Sequence, residues 1–436
     1  MTATARPYRD NVEHLRDELR CLDLLIRLRA AQLALQNQLV PEAQAARTVY
    51  ITAKEVDWLL AADGDPARDG GAAEEARAAL ARLSAEIEAR IERSAADGVP
   101  LALPALGRLF GLSPVELQAV VVCLAPELRR KYDRLYAYLQ DDITRKRPSV
   151  DLVLELVCET EEQRWRARAS FFETASLLRA GLLQRVDDPH SPSGSSGLAQ
   201  FLVLDPRICQ FLLGGGDPGT DHLDDRLAGR ARVDPPAGRD GEPGTDPAIT
   251  ASVLRLVEHH VTRAGPDPRA LVLYLHGPAG VGRRDMALRA CQHLDVPLLT
   301  VDAAALLAQG TEAEGLLRLA FREGLLRGAT IHLEHADALT RDTAHPLLRF
   351  LAATVTDHGG LVVLSGEEPW AAGDVFAGLP FQPVALPVPD VPLRTAVWRR
   401  TLAGRTPDAA AWAGQLGARF RLTPGRIRAA VEAADN

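Results

Sequence analysis

Ala270-Leu-Val-Leu-Tyr-Leu-His-Gly277-Pro-Ala-Gly280-Val-Gly282-Arg283-Arg284 reads as a buried strand that runs into a glycine-rich loop and then a helix. Its glycines have the spacing of the phosphate-binding loop GxxxxGK[ST] between a strand and a helix. Glycine there lets backbone N–H groups converge on phosphate oxygens at a helix N-terminus. Gly277, Gly280, Gly282, Arg283 and Arg284 are therefore candidate nucleotide-binding residues. The side chains depart from the motif. Arg283 takes the lysine position, and Arg284 takes that of the Ser/Thr that holds Mg²⁺. Arginine keeps the charge but is bulkier and forked. Losing the hydroxyl and adding a second cation weakens Mg²⁺ binding. Two outcomes stay open. The guanidiniums attract phosphate without a metal, or Arg284 turns to an internal acid such as Glu334 and plugs the pocket. The plain structural reading is a vestigial loop kept for its backbone shape.

Further along, short apolar runs alternate with helical sequence: Ala270–Leu275, Val296–Val301, Ala329–Leu333, Leu361–Leu364 and Phe381–Leu386. This pattern predicts a parallel sheet covered on both faces. Three helices follow, Val391–Leu402, Pro407–Phe420 and Pro424–Ala434. Thr406-Pro407 and Thr423-Pro424 offer a capping residue and a first-turn proline to the last two. Residues 248–388 are thus read as an α/β core and 389–436 as a small helical lid. The preceding stretch, 214–247, is rich in Gly, Pro and Asp and is read as a flexible linker.

The N-terminal half reads as helical over 1–100 and as winged-helix-like over 101–213. A helix is predicted from Asp10 to Gln38, with Leu15, Leu19, Leu22, Ile26 and Leu33 on one stripe. Arg29 interrupts the seam, which favours packing on its own domain over a coiled coil. A second helix is predicted within Glu74–Arg93, after a loop at Asp63–Gly71. Ser113-Pro-Val-Glu116 has capping-box order, and Ser149 and Thr160 can cap later helices. Strand-like Leu182–Val186 and Phe201–Leu204 flank a long Pro/Ser/Gly loop, as in a winged helix. The wing is rich in Asp and Ser and has no lysine, so protein contact is favoured over DNA contact.

Composition is consistent with this. The chain has 436 residues, 47% hydrophobic and 25% charged, an ordinary globular balance. Its net charge of −8 disfavours a dedicated nucleic-acid binder. Five scattered cysteines suggest neither a disulfide framework nor a zinc site, and no metal ligand set is predicted. No run is long enough to span a membrane and no signal peptide is read, so a cytoplasmic location is expected. Lys54, Lys131 and Lys146 are the lysines; the rest of the 50 basic residues are arginine.

Ile331-His-Leu-Glu334-His335-Ala-Asp337-Ala-Leu339 extends the third run, and with the glycine loop it resembles the AAA+ ATPases. The resemblance implies that Glu334 stands where a Walker B acid orients the Mg²⁺ shell. His335 stands where the next residue polarises the attacking water. Other stations are altered too. Ser365-Gly-Glu367-Glu368 replaces a γ-phosphate sensor, Gly378-Leu379-Pro380-Phe381 lacks the finger arginine, and Ala308-Gln309-Gly310 lacks a gripping aromatic. Arg426 or Arg428 matches the lid arginine and joins the nucleotide-binding candidates. Phosphoryl transfer rests on positioned charge and metal, so five weakened stations argue against efficient hydrolysis. No residue is assigned a catalytic role. ATP binding is expected to be weak or absent, and Mg²⁺ is disfavoured.

Three more segments resemble a narrower group. Asn11-Val-Glu-His-Leu, Leu109-Phe-Gly-Leu-Ser-Pro-Val-Glu-Leu and Tyr132-Asp-Arg-Leu-Tyr-Ala-Tyr-Leu-Gln-Asp-Asp-Ile-Thr-Arg-Lys-Arg-Pro148 are similar to winged-helix AAA+ proteins of phage-tail-like contractile injection systems. The resemblance implies the first, degenerate module of proteins that commonly carry a second, intact one. It also implies other injection-system proteins or AAA+ subunits as partners. The leading expectation is a pseudo-ATPase assembly component. The alternatives are a slow but genuine ATPase and a winged-helix nucleic-acid binder.

Overall fold

The computed structural model describes residues 6–39, 72–189, 196–214, 223–236, 244–263, 270–341, 344–370 and 374–435. They form two compact units, Met1–Thr220 and Asp221–Asn436. The predicted Asp63–Gly71 loop lies outside the described residues. Among the described residues no helix is long and apolar enough to cross a membrane.

In the first unit, α1 (Asn11–Leu39) and α2 (Ala72–Ala96) pair along their length. Leu15, Leu19, Leu22 and Ile26 are buried, as the stripe predicts. The helical and winged-helix segments are not separate bodies. Asp23 on α1 accepts hydrogen bonds from Lys131 Nζ and Tyr132 Oη, both at 2.9 Å, and Arg29 pairs with Glu155. The arginine that interrupts the seam is thus a tie to the rest of the unit. Asn11 adds another tie, donating to Leu212 O at 2.6 Å and accepting from Ala102 N at 2.8 Å.

The middle helices are α3 (Ala102–Phe110), α4 (Pro114–Leu128), α5 (Lys131–Leu139), α6 (Val150–Val157) and α7 (Glu161–Ala167). Ser113 and Glu116 close the capping box that starts α4, and Thr160 and Gln163 close another at α7. After the short α8 (Ser176–Arg179) comes the hairpin of β1 (Leu183–Val186) and β2 (Phe201–Leu204). The strands are antiparallel, with Leu183 opposite Leu204. Asp188, beyond β1, is buried against Arg145 at 2.9 Å. The helix α9 (Pro206–Leu213), capped by Asp205, closes the unit.

The second unit is a six-stranded sheet flanked by helices. Its strands are β3 (Ala231–Asp234), β4 (Leu271–His276), β5 (Leu298–Asp302), β6 (Thr330–Glu334), β7 (Leu361–Gly366) and β8 (Phe381–Ala385), in the order β3-β5-β6-β7-β4-β8. β4 to β8 are parallel, and β3 is an antiparallel edge strand on β5. Alternation sets the two faces. Val272, Tyr274, Val301, Ile331, Leu333 and Leu364 share one core with α13 (Ala313–Arg327) and α14 (His345–His358), which follows the five-residue α12 (Ala303–Leu307). Leu271, Leu273, Leu275 and Val363 share the other with α10 (Pro247–Arg263) and α11 (Arg283–Leu294). Burial on both faces explains why these strands read as continuous apolar runs.

The stretch read as a linker, 214–247, needs correction. Residues 215–222 and 237–243 lie outside the described residues, but 223–236 belong to the second unit. Leu227 is fully buried, Asp224 pairs with the fully buried Arg322 at 2.6 Å, and β3 follows. One buried leucine, one buried ion pair and a four-residue ladder outweigh the Gly/Pro composition.

The lid is α15 (Val391–Leu402), α16 (Ala409–Arg419) and α17 (Pro424–Asp435) around Val397, Trp398, Ala413, Ile427 and Val431. Asp390 caps α15 by accepting from Leu393 N. Thr406-Pro407 does not start α16, which begins two residues later without a side-chain cap. Thr423 turns its hydroxyl elsewhere, as described next.

Candidate functional site

Strand β4 delivers the loop Gly277–Gly282 to the carboxyl edge of the sheet, and α11 begins at Arg283. Gly277, Gly280 and Gly282 all have positive φ, at 149°, 75° and 106°. Close packing requires two of them. A Cβ on Gly277 would lie 2.2 Å from Leu386 O, and one on Gly280 would meet Thr423 Oγ1 at 3.0 Å and Gly425 Cα at 3.1 Å. The lid rests on the loop here. Gly425 N donates to Gly280 O at 2.8 Å, and Thr423 Oγ1 donates to Ala279 O at 2.8 Å.

The loop opens into a cavity of about 270 Å³, lined by Gly280, Gly282, Arg283, Arg284, Asp285, Glu334, His335, Ser365 and Arg428. Eight of these nine, all but Asp285, lie on motif positions quoted from the sequence as candidates or altered stations. Arg426 is not among the lining residues, and its side chain is exposed. Arg428, two residues on and so on the other side of α17, reaches the cavity instead and stands 3.9 Å from Asp285 Oδ2.

The charges in the cavity are matched by groups of the same unit. Arg283 Nη1 donates to Gly277 O at 2.5 Å and to Gly366 O at 2.6 Å, which ties the loop to the end of β7. Arg284 Nη2 donates to both oxygens of Asp234, at 2.7 and 2.6 Å. Glu334 accepts from Arg232 Nη2 at 3.1 and 3.3 Å. Arg284 does turn to an internal acid, but the acid is Asp234 rather than Glu334. Arg232 and Asp234 are both on β3, inside the stretch read as a linker, so the sequence reading missed them. The available signal was the alternation in Ala231-Arg-Val-Asp234, which is too short to stand out.

His335 adopts the left-handed conformation, φ 55°, at the turn after β6. Its Nδ1 is 3.1 Å from Asp302 Oδ1. Burial opposes the charge on Asp302, but the His335 hydrogen bond and the N–H groups of Ala305 and Ala304 outweigh it and hold the carboxyl below its usual range. Beneath the cavity floor lies a second histidine that the motif reading passed over. His332 is fully buried on β6, with Nε2 2.9 Å from Ser365 Oγ. Burial, and then the nearby Arg284, Arg232 and Arg283, push its imidazole down to about 3, so it is neutral near pH 7. The segment where a finger arginine was sought is an aromatic cluster instead. Phe381 stacks on Phe376 at 5.6 Å and on Tyr274 at 6.0 Å.

These residues do not fit a Mg²⁺ site. A guanidinium held by Asp234 stands where the hydroxyl ligand belongs, and Glu334 is engaged by Arg232. Among the described residues no group of three or more His, Cys, Asp and Glu is arranged to hold a metal ion. Three guanidiniums, those of Arg283, Arg284 and Arg428, line the cavity at the N-terminus of α11, together with the carboxylates of Asp285 and Glu334.

Comparison with known proteins places the N-terminal half. The family described as "Winged helix domain, variant" matches residues 1–231. The chain belongs to this winged-helix family. The hairpin β1–β2 and its preceding helices lie within the matched winged-helix region. No curated protein is similar to the chain. Among solved structures, the FIGL-1 AAA domain in complex with ADP is 17% identical, covering 48% of this chain and 77% of that one at a TM-score of 0.39. The FIGL-1 AAA domain is 18% identical over 49% and 78%, at a TM-score of 0.37.

Proposed function

We propose that this winged-helix protein carries a degenerate AAA+ module that does not hydrolyse ATP, and that it serves as an assembly or interaction component of a contractile injection system in the cytoplasm. The observation that carries the non-hydrolytic reading is the Arg284–Asp234 pair at the metal-ligand position. A phosphoryl-transfer site needs a metal and a free acid there, and this one has a neutralised cation. His335 at the water-polarising position is directed to Asp302. Gly280 and Gly425 are in backbone contact, which supports a role for the loop as the seat of the lid. The partners are other injection-system proteins or AAA+ subunits. The acidic wing, with Asp188 drawn onto Arg145, supports protein contact over DNA contact.

In this reading a polyphosphate reaches the cavity weakly and without a metal. Thermal shift with ATP tests that. The melting temperature should rise equally with Mg²⁺ and with EDTA, by the equivalent of about 2.7 kcal/mol at one hundred times Kd. A shift that strictly requires Mg²⁺ would overturn the assignment of Arg284. No shift at millimolar ATP would remove nucleotide binding and leave a scaffold alone.

A further inference from the structure

Strand β3 brings two charges of opposite sign to two residues that line the same cavity. Asp234 binds Arg284, and Arg232 binds Glu334. Both pairs touch solvent. Side-chain exposure is 32% and 24% for Arg284 and Asp234, and 49% and 23% for Arg232 and Glu334. Such pairs hold weakly and can exchange partners. The pair that anchors the start of this segment differs. Arg322 and Asp224 are 0% and 4% exposed, so that end is fixed. The strand's backbone ladder is also independent of the two side chains, with Ala231 opposite Val301 and Asp234 opposite Leu298. The charges can therefore be altered while the strand stays in place.

We propose that β3 is a built-in competitor at this site: Asp234 withholds Arg284 from a polyphosphate anion, while Arg232 screens the carboxylate of Glu334 that would repel one. This rests on the reading of the cavity as a metal-independent anion site and names what regulates it. The two residues then have opposite effects. Removing the charge of Asp234 releases a guanidinium and strengthens binding. Removing the charge of Arg232 exposes an acid and weakens it. A purely structural role for β3 would move both variants the same way, because each would loosen the same edge.

The test is calorimetric titration of the full chain with inorganic tripolyphosphate in EDTA at low salt, with melting curves to confirm folding. Asp234→Asn should bind about three- to tenfold more tightly than the parent. Arg232→Gln should bind more weakly by a similar factor. Adding Arg284→Gln to Asp234→Asn should abolish the gain. Affinities that move in the same direction, or that do not move, would overturn the proposal, as would undetectable binding by folded Asp234→Asn at millimolar tripolyphosphate. ATP turnover, measured separately, decides the underlying non-hydrolytic reading, so the two can fail independently.

Discussion

Arg284 Nη2 lies 2.7 and 2.6 Å from the two carboxylate oxygens of Asp234, a residue fifty positions earlier in the chain. Both side chains of the pair touch solvent, so the contact fixes geometry more than it adds stability. Here the contact closes the first turn of α11 onto an antiparallel edge strand. It places an internal ion pair at the second residue of α11, beside the glycine loop. Arg283 is also directed inward, to Gly277 O and Gly366 O. Two residues that look like substitutes for phosphate-binding groups are thus bound first to their own fold.

The segment leading into β3 is held by a buried ion pair, and this makes its stability role testable. Asp224 is 4% exposed on its side chain and pairs with Arg322 and Arg226, both at 2.6 Å. Breaking a buried pair by removing one partner costs about 3–5 kcal/mol. Asp224→Ala should therefore lower the denaturant midpoint of the chain markedly. The exposed neighbour Asp225→Ala should change stability by about 0.5 kcal/mol or less. Equal, small effects for both variants would mean that this stretch is the loose linker its composition suggested.

Much of the fold was legible in the sequence, for a physical reason. Strands β4 to β7 are buried on both faces, so they stand out as short apolar runs between helices. The capping box at Ser113 and the cap at Thr160 were visible because they need particular residue types at helix starts, while Gln163, which completes a second box, was not read. The loop glycines were visible for the same reason. The partners of the loop were not. Arg232 and Asp234 act through an antiparallel pairing that no local pattern encodes, within a segment dominated by Gly, Pro and Asp. Thr423 looked like a helix cap, but its hydroxyl bonds Ala279 O across 144 residues. Arg426 and Arg428 could not be separated by motif position; only the phase of α17 turns Arg428 toward the cavity.

His332 and His358 predict a pH dependence with a definite sign. His332 is pushed from 6.5 down to about 3, first by burial and then by nearby guanidiniums, and burial pushes His358 down to about 4. Between those values and 6.5 the unfolded chain binds more protons than the folded one. The stability contributed by the neutral rings is full above about pH 6.5 and is lost as pH falls toward 4 and 3. Each ring sets a slope of at most about 1.4 kcal/mol per pH unit in that window. The melting temperature should fall from pH 7 to pH 5, and His332→Gln should flatten the curve. A melting temperature that rises over this range, or a His332→Gln curve parallel to the parent's, would refute the assignment.

The most direct test of the central claim is phosphate release from Mg²⁺-ATP by the purified full chain, measured beside the variant carrying Arg283→Ala and Glu334→Ala. The ion pairs at Arg284 and Glu334 predict a rate indistinguishable between the two proteins. Turnover of about 1 per second or more, within the ordinary range of enzymes, that disappears in the double variant would contradict it.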